Sequence, residues 1–459
     1  MTVRASVVGS SSSSIAGSVA GSVAGPVADT DSGPAPAARQ RILVVCATDW
    51  ERTAVAAPDL QRRYEFIHCC DELYDSLGLH RALRFNVHRY LDGVSAAHRD
   101  RGIAGILGTG DYPGCIFGAY IAEGLGLPGP RTRDIVLLSH KYYSRELQQR
   151  LVPEATPPFR VLDARSAEAA AALGFPLFVK PIKGTMSIRA QMVHSPPELR
   201  RALSLSLGEQ LRRWVLLRPF SQLLRSYFSQ PVSAHAFIGE GPLRGQQVTV
   251  DGFVQGGRVT VMGIVDSIMY PGTMSFRRFE YPSALPDSVQ ERMVDITTRL
   301  MEGSGFDNSC FNLELFYDQE RDALSIIEIN PRMSYQFSDL FARVDGKSSF
   351  AVQLALATGQ PVHWPRGGGA DRVAASFVMR RFTDARVLRV PQAPELAAVE
   401  REVPGALVKI LCAPGERLSD HDQDVGSYRY CIVNLAAPSR EQLHARYAVV
   451  EKLLPFGFA

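Results

Sequence analysis

Two stretches past the middle of the chain, 311–317 and 324–330, alternate polar and apolar residues with period two. That pattern belongs to strands whose two faces are used differently. The polar residues DQERDA lie between them, so the pair is predicted to be an antiparallel hairpin. With the turn centred near Arg321, Glu314 falls opposite Glu328 and Asn312 opposite Asn330. Leu313, Leu315, Ile327 and Ile329 then share the other face.

Elsewhere the apolar runs are continuous. ILVVCAT at 42–48 and GIAGILGTG at 102–110 read as buried parallel strands. Helical patterns between and after them suggest a small open α/β domain over 41–130. The turn GTGDYPG is no complete dinucleotide fingerprint. A helix is predicted from Ser139 to just before Pro153, with Lys141 in its first turn, where the helix dipole disfavours a cation. SAEAAAALG reads as a second helix stopped by glycine. FPLFV is a buried strand closed by Lys180, and KGTMSIR at 183–189 a turn. WVLL at 214–217 reads as another strand and 224–246 as irregular. VTVDGFV and RVTVMGIV form a hairpin about Gln255-Gly256-Gly257. Residues 269–286 read as a loop carrying Arg277 and Arg278, and 288–303 as a long helix. After a helix within 346–359, three strand-like runs and an amphipathic helix at 440–454 make a small, strand-rich terminal domain.

Length and composition narrow the classes. At 459 residues two or three domains are expected. A hydrophobic fraction of 46% with 21% charged residues fits a soluble globular chain. The net charge of +3 gives no ground for nucleic-acid or membrane-surface binding. Seven scattered cysteines without metal-ligand spacing point to a reduced, cytoplasmic setting. No run approaches the roughly 20 apolar residues of a membrane span. Residues 1–39 are mostly Ser, Ala, Gly, Val and Pro, with a short AGSVAGSVAGPVAD repeat and almost no large apolar side chain, which predicts a disordered tail.

The hairpin carries the chemistry. Two carboxylates directly across a ladder repel. A divalent cation between them relieves this, and Mg2+ takes oxygen ligands of this kind. The polar face holds only acids and amides, and it ends in Asn330-Pro331-Arg332. An arginine there can grip a phosphate or carboxylate through two parallel hydrogen bonds.

Taken in order, Lys141 at a helix start, Lys180 in FPLFVKP, WVLLRPF, the VTVDGFV hairpin, Glu314 in NLEL and the run Glu328-Ile329-Asn330-Pro331-Arg332 resemble the ATP-grasp superfamily of carboxylate–amine ligases. The resemblance covers about 130–360. It implies an α/β ATP-grasp fold with an N-terminal open α/β domain and a small strand-rich C-terminal domain. The implied boundaries are 40–136, 137–361 (lid about 176–220) and 362–459. It further implies that Lys141 and Lys180 hold ATP phosphates, with Lys183, Thr185 and Ser187 on the covering loop. That loop holds fewer glycines than the family's usual one. The backbone of WVLLRPF, with Leu217, Arg218 and Phe220, would read adenine, and Gln247 stands where a ribose-binding Glu often does. Glu314, Glu328 and Asn330 would bind Mg2+, or Mn2+ in its place, and Arg332 would steady the reacting phosphate.

The implied reaction joins a carboxylate to an amine through an acyl phosphate, with release of ADP and phosphate. Candidate substrate contacts are Arg277, Arg278, Gln336 and Arg343. The expected partners are small-molecule acid and amine substrates, without nucleic acid or membrane; homodimer formation is left open. One rival is a biotin-carboxylase-like enzyme, which usually has a Glu where Gln336 stands. The other is a non-catalytic nucleotide-binding scaffold.

Overall fold

The computed structural model describes residues 38–71, 79–162, 174–184, 188–421 and 426–459. Almost all of the expected tail, the helix expected over 166–173, and Thr185 and Ser187 lie outside them.

Three larger sheets and one two-stranded ribbon organise the described residues. β1 (Gln40–Val45), β2 (Tyr64–Cys69) and β3 (Ile103–Leu107) form a parallel sheet in the order β2-β1-β3. β4 (Phe159–Leu162), β5 (Leu177–Pro181), β6 (Gln191–Val193) and β7 (Phe237–Glu240) form an antiparallel sheet in the order β4-β7-β5-β6. β8 (Gln246–Gln255), β9 (Arg258–Met269), β10 (Phe276–Tyr281), β11 (Ser309–Asp318), β12 (Ala323–Asn330) and β13 (Val373–Arg381) join a larger antiparallel sheet. It continues past the short β14 (Val387–Arg389) into β15 (Leu407–Ile410) and β16 (Tyr428–Ala437). Its order is β12-β11-β8-β9-β10-β13-β16-β15. The strands expected of a terminal domain therefore extend the central sheet through β10–β13 pairing.

The helices that position the site are α1 (Asp49–Val55), α2 (Gly114–Leu125), α3 (Lys141–Leu151), α4 (Leu207–Tyr227), α5 (Asp287–Ser304), α6 (Tyr335–Asp345) and α7 (Arg440–Leu453). One face of the large sheet is apolar. Val248, Val250, Leu313 and Ile329 pack there against Met293, Ile296 and Leu300 of α5. On the other face, Phe253, Phe279 and Ala374 meet Phe337, Leu340 and Phe341 of α6. The small β4–β7 sheet has its own core of Leu162, Leu177, Val179, Val193 and Phe237.

Four local expectations differ from the structure. The helix expected from Ser139 begins at Lys141, because an earlier helix ends at Ser139 and His140 caps the new one through its ring. WVLL is not a strand. It lies inside α4, opened by a Ser206–Glu209 capping box, and Leu217, Phe220, Leu223 and Leu224 bury one side of it. That three-to-four spacing outweighs the short apolar run and the interior Pro219. The stretch 224–246 contains β7, which pairs with both β4 and β5. Arg277 and Arg278 sit on β10 rather than in a loop.

Candidate active site

The acidic hairpin forms in the expected register: Glu314 pairs with Glu328, and Asn312 with Asn330. Beyond Glu314 the register shifts, so Leu315 pairs with Ile326. Ile326 therefore takes the core position expected of Ile327. The bulged Ile327 presents its carbonyl to Arg145 Nη2 at 2.7 Å and to Lys180 Nζ at 3.2 Å. Bulges of this kind re-aim backbone groups beside functional sites. β8 flanks β11 and sets Asp251 beside Asn312.

An amide–carboxylate network covers this face. Asn312 Nδ2 donates to Asp251 Oδ1 at 2.6 Å. Asn330 Nδ2 donates to Asn312 Oδ1 at 3.1 Å and to Glu314 Oε1 at 3.0 Å. Gln247 Nε2 donates to Glu314 Oε2 at 3.0 Å. Burial, reinforced by Glu328, pushes the Glu314 carboxyl up to about 7. Burial also acts on Glu328, but Lys141 and Lys180 outweigh it and hold its carboxyl below the usual range. Asp251 is pushed up to about 7 by burial, and among the described residues its buried Oδ2 has no hydrogen-bond partner.

Three lysines converge, one from α3, one from β5 and one from the turn after β5. Lys141, first residue of α3, places Nζ 3.1 Å from Glu328 Oε2 and 3.1 Å from the Gly184 carbonyl. Lys180, near the end of β5, lies 2.9 Å from Glu240 Oε2. Arg145, fully buried on α3, takes the other Glu240 oxygen at 2.8 Å. With these two cations outweighing burial, Glu240 is held down at about 2. Lys183 stands over the rings of Tyr112 and Phe220, 5.4 Å from each, and 3.9 Å from Asp111 Oδ1. Arg332 Nη2 lies 3.6 Å from Asp111 Oδ2.

Lys141, Lys180, Lys183, Gln247, Glu314, Glu328, Asn330 and Arg332 thus share one cleft. The remaining candidates do not all join them. Leu217 and Phe220 belong to α4 and are buried, so no strand of theirs reads a ligand. Arg218 lies over Trp214 and donates to the Leu83 carbonyl. Arg278 pairs with Glu280 at 2.6 Å, in a cluster with His444 and Arg440 beside α7. Arg277 is exposed on the same strand. Arg343 pairs with Asp339 along α6 and donates to the Gly405 carbonyl. Gln336 donates to Ser376 at 3.0 Å. Asp111, Arg145 and Glu240 escaped sequence reading. For Asp111 the available signal was its place in the turn directly after β3.

The donors fit a hard divalent cation. Two facing carboxylates and an amide are oxygen ligands, and Glu314 and Glu328 stand directly opposite each other on the ladder, where like charges repel. Among the described residues no group of three or more His, Cys, Asp or Glu forms a complete metal cage. Mg2+ asks for none, since it binds through one or two carboxylates plus water and substrate phosphates.

Residues 173–338 match the family model of the ATP-grasp domain. An L-amino acid ligase from Bacillus licheniformis superposes with a TM-score of 0.68 at 16% identity, over 92% of this chain and 99% of that one. The biotin carboxylase domain of a 2-oxoglutarate carboxylase from Hydrogenobacter thermophilus gives 0.64 at 14% identity, over 91% of each chain. A phosphoribosylglycinamide synthetase from Anaerococcus prevotii gives 0.58 at 12%, over 92% of this chain and 100% of that one. At these identities the likenesses establish a shared fold.

Proposed function

We propose that the protein, whose residues 173–338 match the ATP-grasp domain, is an ATP-dependent carboxylate–amine ligase working through an acyl phosphate. The observation that carries the reading is the convergence of the Glu314–Glu328–Asn330 hairpin, Lys141, Lys180 and Arg332 in one cleft. Phosphoryl transfer to a carboxylate demands alignment and neutralised charge more than covalent help from the protein.

Glu314, Glu328 and Asn330 would hold Mg2+, which when bound neutralises β- and γ-phosphate charge. Lys141 and Lys180 sit beside that hairpin and provide fixed positive charge for the phosphates. Lys183 extends the same line of cations. Lys141 pairs with Glu328 and Lys180 with Glu240, while Lys183 lies near Asp111. In place of WVLLRPF, β7, which pairs with β5 in the small sheet, would supply the adenine-reading backbone. Arg332 faces the acyl end, where its fork stabilises charge on the transferred phosphoryl group and then on the oxyanion formed by amine attack. The β4–β7 sheet, with its separate core, is the part able to close over the site and exclude water.

The test is ADP release by the full chain with ATP, Mg2+ and a panel of acids and amines. The reading expects release that requires an acid and is completed by an amine. Glu328→Gln and Arg332→Lys should abolish it while leaving a folded protein. A carboxylase is disfavoured because Gln336, which donates to Ser376, has no carboxylate to accept a proton.

A further inference from the structure

Three of the seven cysteines meet at one point of the N-terminal sheet, and the ligase chemistry uses none of them. β1 and β2 run parallel, with Val45 opposite Cys69. The pairing continues one residue further, where the Cys46 N–H donates to the Cys69 carbonyl at 2.9 Å. Cys46 and Cys70 thus follow the ends of adjacent strands, and such neighbours lie about 4.8 Å apart. A disulfide spans roughly 4.4–6.8 Å between Cα atoms, so the pair is within reach of one. Both residues hold left-handed backbone, at φ 51° and 64°, which non-glycine residues rarely adopt. The Cys46 thiol donates to the Cys70 carbonyl at 3.5 Å, and Cys70 Sγ lies 3.8 Å from Cys69 Sγ. Cys46 and Cys70 are buried, whereas Cys69 is partly exposed.

Their surroundings lead to the cleft. Cys46 runs into Thr48 and α1, whose buried Glu51 accepts from the Thr109 and Gly110 backbone N–H groups at 3.1 Å each. These residues open the turn that carries Asp111, which faces Lys183 and Arg332 at 3.9 and 3.6 Å. On the far side of the turn, Gly114 begins α2. A Cβ there would stand 3.4 Å from the Val45 carbonyl and 3.9 Å from Cys46 Cβ. The Cys46 side chain is therefore part of the floor on which the turn rests.

From this placement we propose that Cys46, Cys69 and Cys70 form a redox modification site, where a peroxide converts the Cys46 and Cys70 thiols to a reversible disulfide that displaces the Asp111 turn. Cys69, the exposed member, meets the oxidant. Its sulfur takes one peroxide oxygen and becomes a sulfenic acid, and the other oxygen leaves as water. The Cys70 thiolate then attacks the Cys69 sulfur and expels the hydroxyl as a second water. Cys46 attacks the Cys70 sulfur in turn, and its proton passes to Cys69, which returns as a thiol. Two thiols have lost two protons and two electrons, and one peroxide has become two waters. The last exchange is downhill because neighbouring residues sit only about 3.8 Å apart at Cα, too close for a relaxed disulfide. Cys70 is suited to the attack. The hydrogen bond from Cys46 holds its thiol below the usual range, and the same bond with burial holds Cys46 above it.

The test treats the full chain with hydrogen peroxide, alkylates the remaining thiols, and maps tryptic peptides by mass spectrometry. The expected product links peptide 42–52, which holds Cys46, to peptide 64–81, which holds Cys70. Dithiothreitol should remove the link. Cys46→Ser and Cys70→Ser should prevent it, and Cys69→Ser should slow its formation. ADP release, the readout that rests on the ligase reading, should fall on oxidation and return with dithiothreitol. Cys46→Ser should keep its ADP release through the same treatment. Absence of the link, or a bridge through Cys115, Cys310, Cys412 or Cys431 in its place, would overturn the assignment. A loss of ADP release that Cys46→Ser fails to prevent would overturn the effect on the turn. The peptide map stands apart from the ligase reading, so a chain that releases no ADP with any acid would remove that reading and leave the cysteine site to the map. Should a serine variant fail to fold, the map of the parent and its reversal by dithiothreitol decide the matter.

Discussion

Glu314 and Glu328 are the same residue type on paired positions, yet their surroundings drive them apart. Burial and Glu328 raise Glu314 to about 7, and Lys141 and Lys180 hold Glu328 low. A folded-state value above the unfolded one means that Glu314 favours the fold below about 4.5 and loses that contribution as pH rises through about 7. Without divalent metal, Glu314→Gln should therefore raise the melting temperature more at pH 8 than at pH 5. Thermal melts in a chelator measure this, and an equal shift at both values would contradict the burial argument. Glu328→Gln keeps shape but removes the charge that Lys141 and a cation would share, so turnover should nearly vanish in a folded protein. Near-normal turnover at saturating Mg2+ would remove Glu328 from the site. These residues were legible in the sequence because period-two alternation fixes which side chains face each other. Asp111, Arg145 and Glu240 were not, because each is a lone charged residue whose partners come from distant segments.

At the scale of elements, short apolar runs were the weak point. WVLL has the composition of a strand, but the Ser206–Glu209 cap and the spacing of Leu217, Phe220 and Leu224 make it a helix. The strand of this region is FIGE, four residues too short to carry a readable alternation. Phe220 is fully buried in the main core and stacks near His140. Phe220→Ala should cost about 3–5 kcal/mol of stability, with little change in KM for ATP. A raised KM at unchanged stability would return this segment to the nucleotide. Arg145 ties α3 to β7 through Glu240 and to β12 through the Ile327 carbonyl. Arg145→Met leaves Glu240 buried and half-paired and should cost about 3–5 kcal/mol. Urea denaturation reads this directly, and a loss below about 1 kcal/mol would show that Lys180 alone satisfies Glu240.

Across the whole molecule, the hairpins and two of the three strands of the parallel N-terminal sheet, β1 and β3, were predictable from local pattern, whereas β2 was not. The joining of β13, β16 and β15 to the central sheet was not, since strand partners far apart in sequence leave no periodic trace. That joining places α6, and with it the segment after Arg332, between the central sheet and the N-terminal turn held by Glu51. The cleft is thus assembled from three separate sheets, which suits a reaction that must bring a nucleotide, an acid and an amine together. The central claim is that the acid's carboxylate attacks the γ-phosphate of ATP. Turnover with an acid substrate carrying heavy oxygen in its carboxyl group tests this most directly. The account predicts that one heavy oxygen appears in the released inorganic phosphate alongside ADP; unlabelled phosphate, or label transferred to AMP with release of pyrophosphate, would contradict it.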